Sequence, residues 1–380
     1  MVGARLAVST GYFFLLGGNS SYRRGNWSYR VSKRNLGPGD SGRATDSGWA
    51  TGSGRAADSS VRLSRAWVHR PDGDRADARR LMSRCAVAAW QHDEMPDSVS
   101  DTPEPWAQEA AVVARTEAPV TRAAMVAALR AAGVQDGGVI IVHSSLSRLG
   151  WVVGGAHTAV LALMDAVGPT GTIVMPALSS HLSEPSGWVA PPVPEAWWQI
   201  IRDEMPAYDA VLTPMVAMGA VAECFRLLPG TVRSSHPADS FMANGPLADD
   251  VITPHPLECA FGAGSPLDRL YDQRARIVLL GVGHSNNTSL HLAESRTRWA
   301  AEHRITYGAP LMVDGQRRWV TYDDVDYDND DFEATGAAFA AATGSEARVQ
   351  LGAGEVIASD MREIVDFATE WLAYNRGTRV

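Results

Sequence analysis

Residues 139–142, Val139-Ile140-Ile141-Val142, most constrain what this 380-residue chain can fold into. Four consecutive β-branched residues leave a strand no polar face, so it must be covered on both sides, as in a sheet packed between helices. The run stops at His143-Ser144-Ser145, crosses a turn rich in Gly and Ser, and restarts at Ala156 with helical spacing. Val160, Leu161, Leu163, Met164 and Val167 then fall on one side of a helix that ends at Gly168-Pro169. Thr172-Ile173-Val174-Met175 supplies the next strand. This is a βαβ unit, with polar residues at the carboxyl end of its first strand. Open α/β sheets place their ligands there.

The pattern recurs at Ile277-Val278-Leu279-Leu280, which ends at Gly281-Val282-Gly283-His284 and leads into a helix predicted from about Thr288 through His291 and Glu294. Upstream, Val120-Thr121 before RAAMVAALRAAGV reads as an N-capped helix ending at Gly133. After Met175-Pro176 comes a loop rich in Ser, Pro and Trp, of a length that often forms a lid. Helices are predicted over Trp197–Met205, over MGAVAECFRLL and over about Met361–Tyr374. The stretch YDDVDYDNDDFE, Tyr322 to Glu333, reads as an acidic loop. It is not an EF-hand: with Asp324 first, Asn329 replaces the required Gly and Thr335 the bidentate Glu.

Residues 1–100 differ from the rest. They lack hydrophobic periodicity and are rich in Gly, Ser, Asp and Arg, a composition that cannot bury a core. The opening MVGARLAVSTGYFFLLGG makes a poor signal peptide, interrupted by Ser-Thr-Gly and followed by no A-x-A site. The expectation is a disordered low-complexity extension or an early start, with Met82 and Met95 as alternative starts, and one domain over 106–380.

Charge and composition exclude several functions. A net charge of −9 argues against nucleic acid as a partner and suits a cationic one. No apolar run approaches the roughly 20 residues of a membrane span. Cys85, Cys224 and Cys259 are odd in number and far apart, which fits reduced thiols and a cytoplasmic location. The only lysine is Lys33, which leaves no Walker A site or Schiff-base lysine in the ordered part.

Candidate chemistry sits at the strand ends. His143-Ser144-Ser145 follows one strand; His284 and Asn286-Asn287-Thr288 follow another; His236 precedes a Pro between them. His291 and Glu294 are three apart and share a helix face. A His oriented by a carboxylate is the usual general-base arrangement, but spacing alone leaves open which His meets which carboxylate. His284, His291 and Glu294 are metal-ligand types, but no His-Glu-x-x-His occurs and no metal is expected. No Gly-x-Ser-x-Gly elbow is present, and Cys224 sits in an apolar helix. Trp151-Val152-Val153-Gly154-Gly155 before a helix is a turn where backbone amides could meet a pyrophosphate and the apolar residues line a pantetheine-like tunnel.

Four long segments carry a resemblance: HSSLSRLGWVVGGAHTAVLALMDAVGPTGTIVMP, AYDAVLTPMVAMGAVAECFRLLPGTVRSSHPADSFMANG, GAGSPLDRLY and IVLLGVGHSNNTSLHLAE. Together, over about 106–380, they resemble the aminoglycoside 3-N-acetyltransferase family. The resemblance implies an α/β fold, layered α/β/α around a central mixed, largely parallel sheet, distinct from the GNAT acetyltransferases. It implies acetyl transfer from acetyl-CoA, as cosubstrate, to the 3-amino group of the 2-deoxystreptamine ring of a polycationic aminoglycoside. The same transfer to another amine-bearing natural product is the alternative, ahead of a metal-dependent hydrolase.

By the same resemblance, His236 is the catalytic base, Glu294 its carboxylate partner, and Thr288 the hydroxyl near the thioester. His143, Ser144, Ser145, Leu146, Ser147, the turn Trp151, Val152, Val153, Gly154, Gly155, and Ser289 are implied to hold coenzyme A. Asp324, Asp326 and Asp328 are implied to face the cationic sugar. Asp209, before Thr213-Pro214, is either a further carboxylate for an ammonium or a turn former.

Overall fold

The computed structural model describes residues 105–377. Lys33, Cys85, the alternative starts and the predicted extension over 1–100 lie outside them.

Seven strands form one sheet: β1 (Val139–Ser144), β2 (Thr172–Pro176), β3 (Val232–Arg233), β4 (Phe241–Asn244), β5 (Arg276–Leu280), β8 (Ala347–Leu351) and β9 (Gly354–Asp360). Two more, β6 (Arg304–Val313) and β7 (Gln316–Val325), make a separate antiparallel ribbon. The sheet order is β3-β4-β2-β1-β5-β9-β8. β1 runs parallel to both β2 and β5, while the β2–β4, β3–β4, β5–β9 and β8–β9 pairs are antiparallel. The expected layered, mixed sheet is found, with its parallel pairing confined to the centre.

The apolar run of β1 is covered on both faces. Ile140 and Val142 pack with Val278 and Leu280 of β5 against the helices Arg122–Ala131, Gly155–Val167 and Gly219–Arg226. Ile141 turns the other way, with Ile277 and Leu279, into a second core with Phe241 and the helices Pro266–Asp272, Leu290–Ser295, Phe332–Thr343 and Met361–Gly377. The strand period of two divides one hydrophobic run between two cores. Thr121 caps its helix as predicted, its hydroxyl accepting the Ala124 N–H at 3.2 Å. Among the described residues no helix is long and apolar enough to cross a membrane.

Parallel pairing brings two turns to one end of the sheet. His143 lies opposite Leu279 and Ser144 opposite Leu280, so the segments after β1 and β5 emerge side by side. Gly281 makes their approach possible: at φ +71°, a Cβ there would sit 2.7 Å from the Ser145 carbonyl oxygen.

The acidic stretch differs from its reading. Tyr322–Val325 completes β7, and only then does the chain leave the ribbon for the helix Phe332–Thr343.

Candidate active site

A cavity of about 340 Å³ opens at the carboxyl ends of β1 and β2. His143, Ser144 and Thr288 line it beside the two turns; Asp239, Phe261, His291, Tyr327 and Phe332 line it from other segments.

His291 and Glu294 stand one turn apart on the helix Leu290–Ser295, and Nδ1 lies 2.6 Å from Oε2. The Glu294 side chain is fully buried, yet its lone pairs are used. Oε1 accepts from Arg376 Nη1 at 2.6 Å and from the Asp328 N–H at 2.8 Å. Arg376 also grips Asp331 through Nε and Nη2, at 2.9 and 2.6 Å, and donates to the Asp328 carbonyl. Burial pulls this guanidinium down, but the bonds to Asp331 and Glu294 outweigh it and hold it above its ordinary value. Since the carboxylate accepts, the Nδ1 of His291 carries the hydrogen of this bond, and Nε2 is the ring nitrogen turned away from Glu294. No partner for that Nε2 exists among the described residues. The ring is pinned by Phe261, stacked at 4.9 Å, and by the flanks of Tyr327 and Phe332.

His143 faces Thr288. Its Nε2 accepts the Thr288 backbone N–H at 3.1 Å and lies 2.9 Å from the Thr288 hydroxyl. A ring nitrogen that accepts a backbone N–H carries no hydrogen, so the hydroxyl donates to it as well. Burial, and secondarily the nearby His291, lower His143 to about 3, which keeps it neutral. Its Nδ1 and the Oγ of buried Ser289 have no partner among the described residues.

The predicted base lies elsewhere. His236 is fully buried; Nδ1 accepts the Asp239 N–H at 2.9 Å and Nε2 faces the Leu257 carbonyl at 3.4 Å. Burial and neighbouring His255 hold it down at about 3. It does not meet Glu294, whose carboxylate is taken by His291 and Arg376. His236 shapes the Ser-Ser-His-Pro turn.

The predicted coenzyme stretch divides. His143 and Ser144 reach the cavity, but the residues after them are engaged in the fold. The Ser145 N–H extends the sheet to the Leu280 carbonyl, Leu146 packs on the core, and the Ser147 carbonyl accepts from Arg115. Trp151 gives its backbone N–H to Thr116 and its ring N–H to Glu109. Val152 bridges to Val120 and is buried, whereas Val153 is exposed at the surface. Gly154 and Gly155 open the helix Gly155–Val167.

The predicted substrate carboxylates are used by the backbone. Asp324 is 2% exposed and accepts the Ala260 and Val325 N–H groups, an inward strand residue off the cavity wall. Asp209 accepts the Val211 and Leu212 N–H groups, the turn-forming alternative. Asp326 and Asp328 are half-buried beside Glu294 and off the cavity wall. Asp328 Oδ1 accepts the Asp330 N–H, and burial with Asp328 and Glu294 pushes Asp326 up to about 6. The one acid on the described wall is Asp239.

His284 is no partner of His291 in a ligand set. Its Nε2 lies 2.6 Å from Glu346. Among the described residues no group of three His, Cys, Asp or Glu could hold a metal ion.

The family model for aminoglycoside 3-N-acetyltransferases matches residues 141–373, a span that begins inside β1 and holds His143, Thr288, His291 and Glu294. The chain belongs to this family. It is 40% identical over 270 residues to a Bacillus subtilis (strain 168) protein, the SPbeta prophage-derived aminoglycoside N(3')-acetyltransferase-like protein YokD, covering 70% of this chain and 96% of that one. It is 34% identical over 289 residues to aminoglycoside N(3)-acetyltransferase VII of Streptomyces paromomycinus, covering 71% and 97%. Two solved structures are similar. AAC-IIIb in binary complex with CoASH has a TM-score of 0.61 at 28% identity, covering 69% of this chain and all of that one. AAC-VIa bound to sisomicin has a TM-score of 0.61 at 32% identity, covering 68% and 98%. Family membership makes the chain an acyltransferase relative, as the sequence resemblance implied.

Two site residues were not singled out from sequence. Asp239 sits two positions past His-Pro with no pattern of its own. Arg376 is one of many arginines on a helix whose amphipathic face explains it without a role.

Proposed function

We propose that the chain transfers the acetyl group of acetyl-CoA directly to the 3-amino group of a 2-deoxystreptamine aminoglycoside, with His291 rather than His236 as general base. The carrying observation is His291 on the cavity wall with the buried Glu294 behind it, Nδ1 2.6 Å from Oε2. An ammonium has no lone pair, so the acceptor nitrogen must be neutral when it attacks the thioester carbonyl carbon. His291 Nε2 takes that proton, Glu294 stabilises the imidazolium, and Arg376 holds Glu294 in place. The new C–N bond forms as the C–S bond breaks, and coenzyme A leaves as thiolate. No enzyme nucleophile is required.

Thr288 takes a different part from the one the resemblance implies. Its hydroxyl hydrogen is committed to His143, so it meets the cavity as an acceptor, suited to the second N–H of the attacking amine. His143 and Ser144 at the end of β1, with two buried polar atoms lacking partners at His143 and Ser289, suit the hydrogen-bonding groups of coenzyme A. The support from relatives is that one neighbour holds CoASH and another sisomicin.

The test is thiol release from acetyl-CoA by the full chain with a panel of aminoglycosides, compared with His291→Ala. Release that requires both the aminoglycoside and His291 supports the reading; equal release by the variant overturns it.

A further inference from the structure

Asp239 closes the turn that His236 shapes, and its side chain is 29% exposed on the cavity wall. Its backbone N–H donates to His236 Nδ1, which fixes its position. Its carboxylate is different. Among the described residues no donor is within hydrogen-bond distance of it, and the basic side chain within 4 Å is His236, through that same Nδ1 at 3.8 Å. That nitrogen already accepts the Asp239 N–H, so it carries no hydrogen and offers no positive charge. The charge of Asp324 opposes ionisation of Asp239 instead of assisting it. The carboxylate opens on the cavity, where an occupant can supply the donor and the positive charge that the protein does not.

We propose that Asp239 is an ammonium subsite: it binds a charged amino group of the acceptor other than the one acetylated. This rests on the reading of the cavity as the acceptor site. It places two opposite demands on one substrate. The amine at His291 must lose its proton, whereas the amine at Asp239 must keep its own. Phe261 and Tyr327 line the same cavity as His291 and pack edge to face at 4.9 Å. Burial and the Asp324 charge push Asp239 up to about 7, so a bound ammonium draws a proton off it. Binding near neutral pH is therefore accompanied by proton release. Acceptors with one amine gain nothing from this subsite, so it selects polyamines.

The experiment is calorimetric titration of the full chain with sisomicin, with cyclohexylamine as a single-amine probe and with CoASH, for wild type, Asp239→Asn and Asp239→Ser. Each titration is run in two buffers of different ionisation enthalpy. The expected result is sisomicin binding weakened about tenfold or more in both variants, the loss of one charge-assisted contact. Proton release accompanies sisomicin binding in the wild type and vanishes in the variants. Unchanged CoASH binding shows that both variants are folded. Sisomicin binding equal to wild type in folded variants overturns the subsite. Wild type that binds sisomicin but does not acetylate it overturns acetyl transfer to this acceptor and leaves the ammonium contact at Asp239 standing. Wild type that binds no aminoglycoside overturns both.

Discussion

Arg376 Nη1 lies 2.6 Å from Glu294 Oε1, although 82 positions separate the two residues. The final helix thus reaches under the site and fixes the carboxylate that orients His291. A buried carboxylate with three donors is held in one rotamer, and the imidazole it binds is held with it.

Arg376→Met strands Glu294 and Asp331 without their cation, and breaking such a buried pair costs roughly 3–5 kcal/mol. A large fall in melting temperature is expected. Arg376→Lys keeps the charge but loses the fork that holds Glu294 and Asp331 together. It should fold, with kcat reduced and KM for acetyl-CoA unchanged. Steady-state kinetics of the lysine variant decide this; an unaltered kcat contradicts the positioning role.

Gly336 lies inside the helix Phe332–Thr343, where helix propensity alone favours alanine by roughly 1 kcal/mol. The structure reverses that sign. A Cβ at Gly336 would stand 2.1 Å from Cγ and Cδ2 of His284, whose ring is held by Glu346. Gly336→Ala should therefore lower the melting temperature and, by displacing the turn that carries Thr288, also lower kcat. A stabilised variant would show that the His284 contact is soft.

Acid sensitivity follows from three buried histidines. Burial is the main cause that holds His143 and His236 near 3 and His255 near 4, all below the ordinary 6.5. Between those values the unfolded chain binds protons that the folded one does not. Their stabilisation is complete above 6.5 and lost as pH falls toward 3. The melting temperature should drop from pH 7 to 5, less steeply in His255→Gln; equal slopes would refute the burial argument.

Asp239 has the opposite sign. Its folded value near 7 exceeds the ordinary 3.8, so its contribution is most favourable below 3.8 and declines as pH rises to 7. In the absence of ligand, Asp239→Asn should be stabilised relative to wild type at pH 8, and the gain should shrink toward pH 4. A difference independent of pH contradicts this.

The βαβ core was legible because its signals are local. Val139–Val142, all β-branched, and the apolar Ile277–Leu280 run over enough residues to need two covering layers, and their polar ends mark the site. The ribbon β6–β7 was hidden because its second strand carries charges in pairs, Arg317-Arg318 and Asp323-Asp324, on either side of Trp319-Val320-Thr321-Tyr322, so the strand ending at Val325 reads as an acidic loop. The base was ambiguous for another reason. His291 and Glu294 share a helix face, but so do many such pairs; what selects them is Arg376 and Phe261, brought in from distant segments. Resemblance favoured His236 by its conspicuous His-Pro turn, and only packing shows that both of its ring nitrogens face the backbone.

The central claim is that His291 takes the acceptor's proton, and its most direct test is kcat for thiol release by His291→Ala beside His236→Ala. His291→Ala should lower kcat about 10²–10⁴-fold with its melting temperature and CoASH binding nearly unchanged. His236→Ala should mainly lose stability, and the fraction that folds should turn over. A folded His291→Ala enzyme with wild-type kcat, beside a stable but inactive His236→Ala, would contradict it.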